Sequence, residues 1–465
     1  MTIAELSPQI QAGKISPVEL VTETLARIRR HQPALNAYIT VMEESAMEQA
    51  RQAEREIRTG HYRGPLHGIP YAAKDLFYTR GVATTAGSKI LRDFVPDYDA
   101  TVIERLREAG AILVGKTGLH EFAYGVTNNN PHFGPVHNPW DLARIPGGSS
   151  GGSTAALAAG LCTFSLGSDT GGSVRIPASF CGLVGLKPTF GRISRYGVFP
   201  LGHTLDHVGH FGLSVADVAA ILGVLAGPDP RDDSSANEPP PRLDLSAEPG
   251  LKGFRLGVPR NYYFERLEPE AEAAVRAAIQ VLRGLGAEME EVEIQGIEDF
   301  TVLSRLILMP EATALHRARL KTRRADFGPD VLALLDQGQF ILATDYLDAQ
   351  RRRRQLVRGL DRLFDRVQAI VTPTTPTTAP KIGETMIKLG GQDEDVRLAS
   401  TRLVRGLNLA GVPAISVPCG FDSKGLPIGL QIFGRAFDEY AVLRVAHAYE
   451  QASEWRKRRP PMAAL

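Results

Sequence analysis

A chain of 465 residues is long enough for a large buried core and, on length alone, for two or three domains. Lysine and arginine (53) nearly balance aspartate and glutamate (52), so a net charge of +1 gives no electrostatic case for nucleic acid or an anionic membrane. The composition, 43% apolar and 23% charged, is that of a soluble globular protein. Cys162, Cys181 and Cys419 form an odd set inside apolar runs, which argues against disulfides and fits a reducing compartment. Residues Met1 to Leu6 lack a basic region followed by an apolar run, and no apolar run approaches a membrane span. A cytoplasmic protein with no membrane partner is expected.

In chain order, Ser16-Pro17-Val18-Glu19 reads as a capping box with proline at the first helical position. Val21, Leu25 and Ile28 then repeat at helical spacing, which predicts a helix over roughly 17–31. A second amphipathic helix is predicted at about 43–58. The stretch Gly68 to Ala73 reads as a buried strand that delivers Lys74 at its end. Asp99 is placed to cap a helix carrying Val102, Ile103 and Leu106, which stops at Gly110 before a strand at about 111–114. A small-residue helix (roughly 153–159) and a short strand (roughly 163–166) follow. From Gly227 to Gly253 the chain turns to Pro, Asp, Ser and Glu and reads as a surface loop.

The alternation resumes with a strand at about 254–258, a helix at about 268–285 and a strand at about 288–292. Residues 298–365 then read as almost continuous helix. Its run Arg351-Arg352-Arg353-Arg354 is most simply a solvated face, since a neutral chain without interleaved aromatics does not read as nucleic-acid binding. Two more strands fall at about 369–373 and 414–418. The rhythm predicts one α/β domain over 1–465, with a central mixed sheet flanked by helices. The helical excursion is expected to border the substrate pocket.

The stretch from Gly147 to Pro188 carries two Gly/Ser knots, Gly147-Gly148-Ser149-Ser150-Gly151-Gly152-Ser153 and Asp169-Thr170-Gly171-Gly172-Ser173. Apolar residues run straight through it, so it is a buried site and not a flexible linker. A phosphate cradle would end in Gly-Lys-Ser/Thr, and neither knot has that lysine. Gly147 to Gly151 satisfies a nucleophile-elbow spacing, but an elbow follows a strand, and here Pro139 and Pro146 precede it. Ser173 ends a Gly-Gly turn whose N–H groups can converge on one oxygen, as a developing oxyanion needs. His203, Asp206, His207 and His210 raise Ser-His-Asp chemistry or metal ligation as rival readings; structural histidines are the simpler account.

The whole stretch resembles the amidase signature family, whose members share the pattern GGSSGGS…GSDTGGSxRxPAxxxGxxGLKPT. The resemblance extends to Gly68-Ile69-Pro70-Tyr71-Ala72-Ala73-Lys74-Asp75 and to Asn408-Leu409-Ala410-Gly411-Val412-Pro413-Ala414, and is densest over about 60–215 and 366–435. It implies the amidase signature fold and amide hydrolysis through a Ser–Ser–Lys triad, without metal or cofactor. The triad positions are Lys74 as base, Ser149 as bridge on a cis peptide, and Ser173 as nucleophile. The oxyanion hole falls on Thr170, Gly171, Gly172 and Ser173, with Ser150, Asp169 and Arg175 in support. Tyr124, Gly125, Val126 and Thr127 fall where substrate is bound. With every triad position intact, a degenerate binding scaffold is disfavoured.

One branch of the family is the glutaminase-type amidase component of the glutamyl-tRNA(Gln) amidotransferase, which makes ammonia from glutamine for a partner enzyme. The stretches Thr372-Pro373-Thr374-Thr375-Pro376 and Ser416-Val417-Pro418-Cys419-Gly420 resemble it. Members of that branch carry a charged pair for glutamine at places that match Leu332-Ala333 and Ser400-Thr401 here, and the loop from His120 to Thr127 also differs. The expectation is therefore a stand-alone amidase. Its partner would be a small, uncharged apolar or aryl amide, with esters and carbamates as further candidates and no nucleic acid involved.

Overall fold

The computed structural model describes residues 1–245 and 250–464, so residues 246–249 of the loop expected at 227–253 lie outside the described residues. The fold is organised by a mixed sheet of 11 strands. In chain order these are β1 (Tyr38–Val41), β2 (Pro70–Lys74), β3 (Ile112–Thr117), β4 (Phe164–Asp169), β5 (Val184–Lys187) and β6 (His207–Gly212), followed by β7 (Arg255–Pro259), β8 (Glu288–Val292), β9 (Ala369–Pro373), β10 (Ala414–Phe421) and β11 (Pro427–Gly434). Across the sheet the order is β1-β3-β2-β4-β6-β5-β10-β11-β9-β7-β8. Strands β3, β2 and β4 run parallel, as do β9, β7 and β8, and the strands between them pair antiparallel.

Every residue of β2, β3 and β4 is buried, as parallel strands covered by helices on both faces require. Lys74 and Asp169 each end one of two parallel neighbours, so the topology alone brings them to the same edge of the sheet. In α/β sheets the crevice beyond the carboxyl ends of parallel strands is where ligands bind.

Local details differ from the sequence expectation in instructive ways. The first long helix runs Pro17–Leu35, past 31, because the buried stripe continues through His31 and Leu35 to Asn36 in the left-handed region (φ 52°). Its Ser16 hydroxyl accepts from the Val18 and Glu19 N–H groups and donates to the Glu54 carboxylate. Asp99 does not cap the helix Thr101–Glu108: its carboxylate accepts from the Arg80 N–H at 2.7 Å and pairs with Arg107. The near-continuous helix at 298–365 is three helices, Ile297–Thr322, Pro329–Gly338 and Ala343–Leu363. Gly328 lies in extended backbone (φ −59°, ψ 140°), as a residue preceding proline prefers. In the Pro/Asp-rich loop Asp229 is only 5% exposed and accepts from Ser194 Oγ at 2.7 Å and from the Thr101 hydroxyl, so the start of this loop is tied down. Among the described residues no helix is long and apolar enough to cross a membrane.

Candidate active site

Lys74 ends β2 with 0% exposure, and its Nζ donates to Ser149 Oγ at 2.7 Å, Ser168 Oγ at 2.9 Å and Ser150 Oγ at 3.0 Å. Its partners among the described residues are thus three hydroxyls and no carboxylate. Burial in a low-dielectric site disfavours the ammonium and pulls Lys74 down to about 7, against the weaker pull of Asp169 and Asp206. The adjacent Asp75 faces the other way and pairs with buried Lys116 at 3.0 Å, which leaves Lys74 to the serines.

The glycine knot explains how two consecutive serines reach one lysine. Gly147 sits at φ +81°, and a Cβ there would lie 2.8 Å from Pro177 Cα. The Gly148–Ser149 peptide is cis. Ser150 stands at the start of helix Gly151–Ala158 but does not cap it. Its hydroxyl accepts from Lys74 and from the Ser168 N–H at 3.3 Å, and is within 3.2 Å of the Ser168 carbonyl. That helix is built of small residues because its neighbours are so close: a Cβ on Gly152 would meet the Gly118 carbonyl at 2.4 Å.

Beyond β4 the chain turns through Thr170, Gly171 and Gly172 to Ser173. Asp169 braces this turn from beneath, accepting from the Gly172 N–H at 2.7 Å and the Val174 N–H at 3.1 Å. Arg175 pairs with it at 3.0 Å, both fully buried, and also donates to the Val404 carbonyl, Gln431 and Asn408. Asn408 in turn donates to the Asp169 carbonyl and carboxylate. Burial alone would raise the Asp169 carboxyl; the Arg175 guanidinium, with Lys187 and Asn408, outweighs it and holds the group well below the usual carboxylate range. Gly172 at φ +116° could not be another residue without strain, since a Cβ would meet Val404 Cγ2 at 2.3 Å.

Ser173, 7% exposed, lines a pocket together with Thr170, Gly171, Tyr124, Gly125 and Val126. Helix Ile297–Thr322 contributes Leu308 and Met309, and helix Pro329–Gly338 contributes Leu334. Thr127 is not in this inner pocket. It lines an outer cleft that shares Tyr124, Gly125, Val126, Leu334 and Arg397 with it, and its hydroxyl lies 3.4 Å from His120 Nδ1.

Sequence reasoning missed Ser168, whose place directly before Asp169 in the second knot was the available signal. It also missed Arg305, Arg397 and Arg405, all of which line the inner pocket. The histidine group is not gathered at the triad. His207 Nδ1 lies 2.7 Å from the Leu205 carbonyl, and His210 Nε2 lies 2.9 Å from the Val218 carbonyl. Asp206 accepts from the Thr170 hydroxyl at 2.6 Å and so supports the turn.

A buried lysine hydrogen-bonded to three serines and a braced Gly-Gly turn lie at one edge of this mixed sheet, and the class they point to is that of amidase-type enzymes. The family model described as Amidase matches residues 19–443, and the chain belongs to that family. It is similar over its full length to a glutamyl-tRNA(Gln) amidotransferase subunit from Chloroflexus aggregans, with 42% identity covering 100% of this chain and 98% of the relative. The solved structure of the corresponding amidotransferase subunit from Thermotoga maritima is 36% identical with a TM-score of 0.81, covering 97% of this chain and 95% of that one. A structure described as a vestigial protein complex that reveals the evolutionary origins of an s-triazine catabolic enzyme matches at a TM-score of 0.94 and 37% identity, covering 97% and 99%. The chain is an enzyme of the amidase type, acting on C–N bonds.

These likenesses correct two expectations. A stand-alone amidase for uncharged apolar or aryl amides gives way to full-length similarity with subunits of an amidotransferase. The partner reading of a small molecule alone, without nucleic acid, gives way with it, because those relatives are named for glutamyl-tRNA(Gln). The pocket supplies a physical reason. Of the uncharged places noted in the sequence, Thr401 lines this pocket and Ala333 the outer cleft, but three guanidinium groups enter from elsewhere, where a site for apolar amides would bury hydrocarbon.

Proposed function

We propose that this chain is the amide-hydrolysing subunit of a glutamyl-tRNA(Gln) amidotransferase-type complex, freeing ammonia from glutamine for a partner protein that acts on the tRNA. The observation that carries the reading is the buried Lys74–Ser149 hydrogen bond of 2.7 Å beside the pocket that holds Ser173. Neutral Lys74 takes a proton from Ser149 as Ser149 takes one from Ser173, and the Ser173 oxygen attacks the carboxamide carbon. The carbonyl electrons move onto oxygen, and the donors in this reading are the N–H groups of Thr170, Gly171 and Ser173; the Gly172 N–H, expected from the sequence to join them, is taken by the Asp169 carboxylate at 2.7 Å. Collapse of this intermediate breaks the C–N bond while the proton held by Lys74 returns through Ser149 to the departing nitrogen, giving ammonia and an acyl ester on Ser173. Water then attacks the ester, its proton passing to the same relay, and the free acid leaves.

Full-length similarity to the amidotransferase subunits supports the assignment to a complex. The α-carboxylate of glutamine has guanidinium partners available in the pocket. The test is ammonia release from glutamine, measured for the chain alone and for the assembled amidotransferase with glutamyl-tRNA(Gln). The reading expects release that Ser173→Ala abolishes. No glutamine-derived ammonia in either setting, or release indifferent to Ser173→Ala, would overturn it.

A further inference from the structure

Arg305 comes from helix Ile297–Thr322, Arg397 from helix Val396–Arg402 and Arg405 from helix Arg405–Ala410, yet all three line the pocket that holds Ser173. Each is half-buried. Among the described residues none of the three side chains has an ion pair or a hydrogen bond, while Arg352, Arg402 and Arg353 nearby are all engaged. Arg405 lies against the oxyanion turn: a Cβ on Gly171 would be 3.5 Å from its Nε, and that Nε is buried without a partner. The Tyr124 hydroxyl, on a residue 7% exposed, is likewise buried and unpartnered.

Three cations crowded without a counter-charge repel one another. Burial and its neighbours Arg305 and Arg397 pull Arg405 down to about 10, below the ordinary guanidinium range. A protein that leaves guanidinium donors unsatisfied in a pocket beside its nucleophile has left them for an anion. Among the described residues, the pocket lining includes no aspartate or glutamate. The adjoining outer cleft, which shares Arg397 with the pocket, carries Asp330, Glu384 and Asp395, and each has a partner of its own: Asp330 pairs with His120, Glu384 accepts from the Lys381 N–H and Asp395 from the Leu398 N–H.

We propose that Arg305, Arg397 and Arg405, with the Tyr124 hydroxyl, form an anion subsite that selects ω-amides of dicarboxylic acids, for which an α-ammonium is a handicap and not a requirement. This rests on the amide-hydrolase reading above: glutamine remains a substrate, and the subsite ranks the amino-free amide above it. The carboxylate sits on the guanidinium groups, and the carboxamide at the far end lies over Ser173. Glutamine satisfies the first half, but its ammonium must stand among three like charges with no carboxylate in the described lining of the pocket to receive it. Glutaramate, which is glutamine without the amino group, keeps the length and the carboxylate and loses the conflict. Bond changes are those of ordinary hydrolysis: the C–N bond breaks, and ammonia and glutarate leave.

Two measurements test it. The first is calorimetric binding of glutarate to the Ser173→Ala protein, which needs no turnover. Glutarate is expected to bind with an affinity that falls as sodium chloride rises. Arg305→Gln and Arg397→Gln should each weaken it by about ten- to a hundredfold, and the matching Arg→Lys variants should keep more of it than Gln does. Arg405→Lys serves where Arg405→Gln does not fold. No binding, or binding indifferent to these substitutions, overturns the subsite.

The second measurement is kcat/KM for glutaramate, glutamine and neutral butyramide on the unmodified enzyme. The subsite expects glutaramate to exceed glutamine at least about tenfold, with butyramide last. Glutamine above glutaramate overturns the charge selection. Glutarate binding without ammonia release from any amide would instead refute the hydrolase reading and leave the anion subsite standing.

Discussion

Lys74 Nζ donates to Ser149 Oγ over 2.7 Å, across a sequence separation of 75 positions and with both side chains sealed from solvent. The contact depends on two separate pieces of backbone. Parallel β2 and β4 bring the lysine and the second knot to one edge of the sheet, and the glycines of the first knot let Ser149 fold back onto them. A lysine so placed is useful only when it is neutral.

That requirement sets a pH dependence. Burial brings Lys74 to about 7, so the group is charged and inactive as a base below that pH and neutral above it. In the proposed mechanism kcat/KM for glutamine falls about tenfold per unit below pH ~7 and levels off above it. Lys74→Met lowers the plateau by about 10²–10⁴-fold and removes this limb. A pH–rate profile of both proteins checks it, and an unchanged limb in the variant would assign the titration to another group.

Ser149 and Ser150 both touch Lys74, and chemistry separates them. A departing amine must be protonated as its bond breaks, whereas an alkoxide leaves far more readily. Ser149→Ala is therefore expected to cost glutamine hydrolysis about 10²–10⁴-fold and to spare more of the hydrolysis of glutamate γ-methyl ester. Ser150→Ala should slow both substrates by similar factors, because it acts through the placement of Lys74. The comparison is kcat/KM for the matched amide and ester, with equal losses for Ser149→Ala arguing against its role as proton relay.

Gly172 tests the oxyanion turn. Its φ of +116° and the 2.3 Å approach of Val404 leave no room for a methyl group. Gly172→Ala should displace the N–H donors and cost about 10²–10³ in kcat, with a smaller change in KM. Val404→Ala in the same chain relieves the clash but not the strained φ, so it should restore only part of the rate.

The Asp169–Arg175 pair, fully buried, also bears on stability. Removing the guanidinium strands a buried carboxylate, and Arg175→Met is expected to destabilise the fold by about 3–5 kcal/mol. Asp169 titrates below its unfolded value, so its contribution is present above about pH 3.9 and is lost as pH falls through the folded value. In the variant, denaturant midpoints at pH 7 should drop, and the deficit relative to the unmodified protein should shrink as acid protonates the stranded carboxylate.

Much of this was legible because Gly and Ser positions are constrained by backbone geometry, which shows directly in sequence. The two knots lie at the ends of the helix and strand that place them, so Lys74, Ser149, Ser150 and the turn could all be named from spacing and resemblance. The arginines could not. Arg305, Arg397 and Arg405 sit on three helices separated by up to 100 residues, and each reads on its own as a solvated position; only the packing of those helices over Ser173 makes them one group. Thr127 shows the converse, since adjacency to Val126 did not carry it past the rim of the outer cleft. Asp99 looked like a cap because of its position before a helix, but long-range partners in Arg80 and Arg107 took its carboxylate.

The central claim is that Ser173 carries the acyl group. The measurement that tests it most directly is rapid acid quench of the enzyme turning over glutamate γ-methyl ester, followed by mass spectrometry of its peptides. The mechanism predicts a glutamyl adduct on Ser173, absent in Ser173→Ala. An adduct on another side chain, or turnover of Ser173→Ala at the rate of the unmodified enzyme, would contradict it.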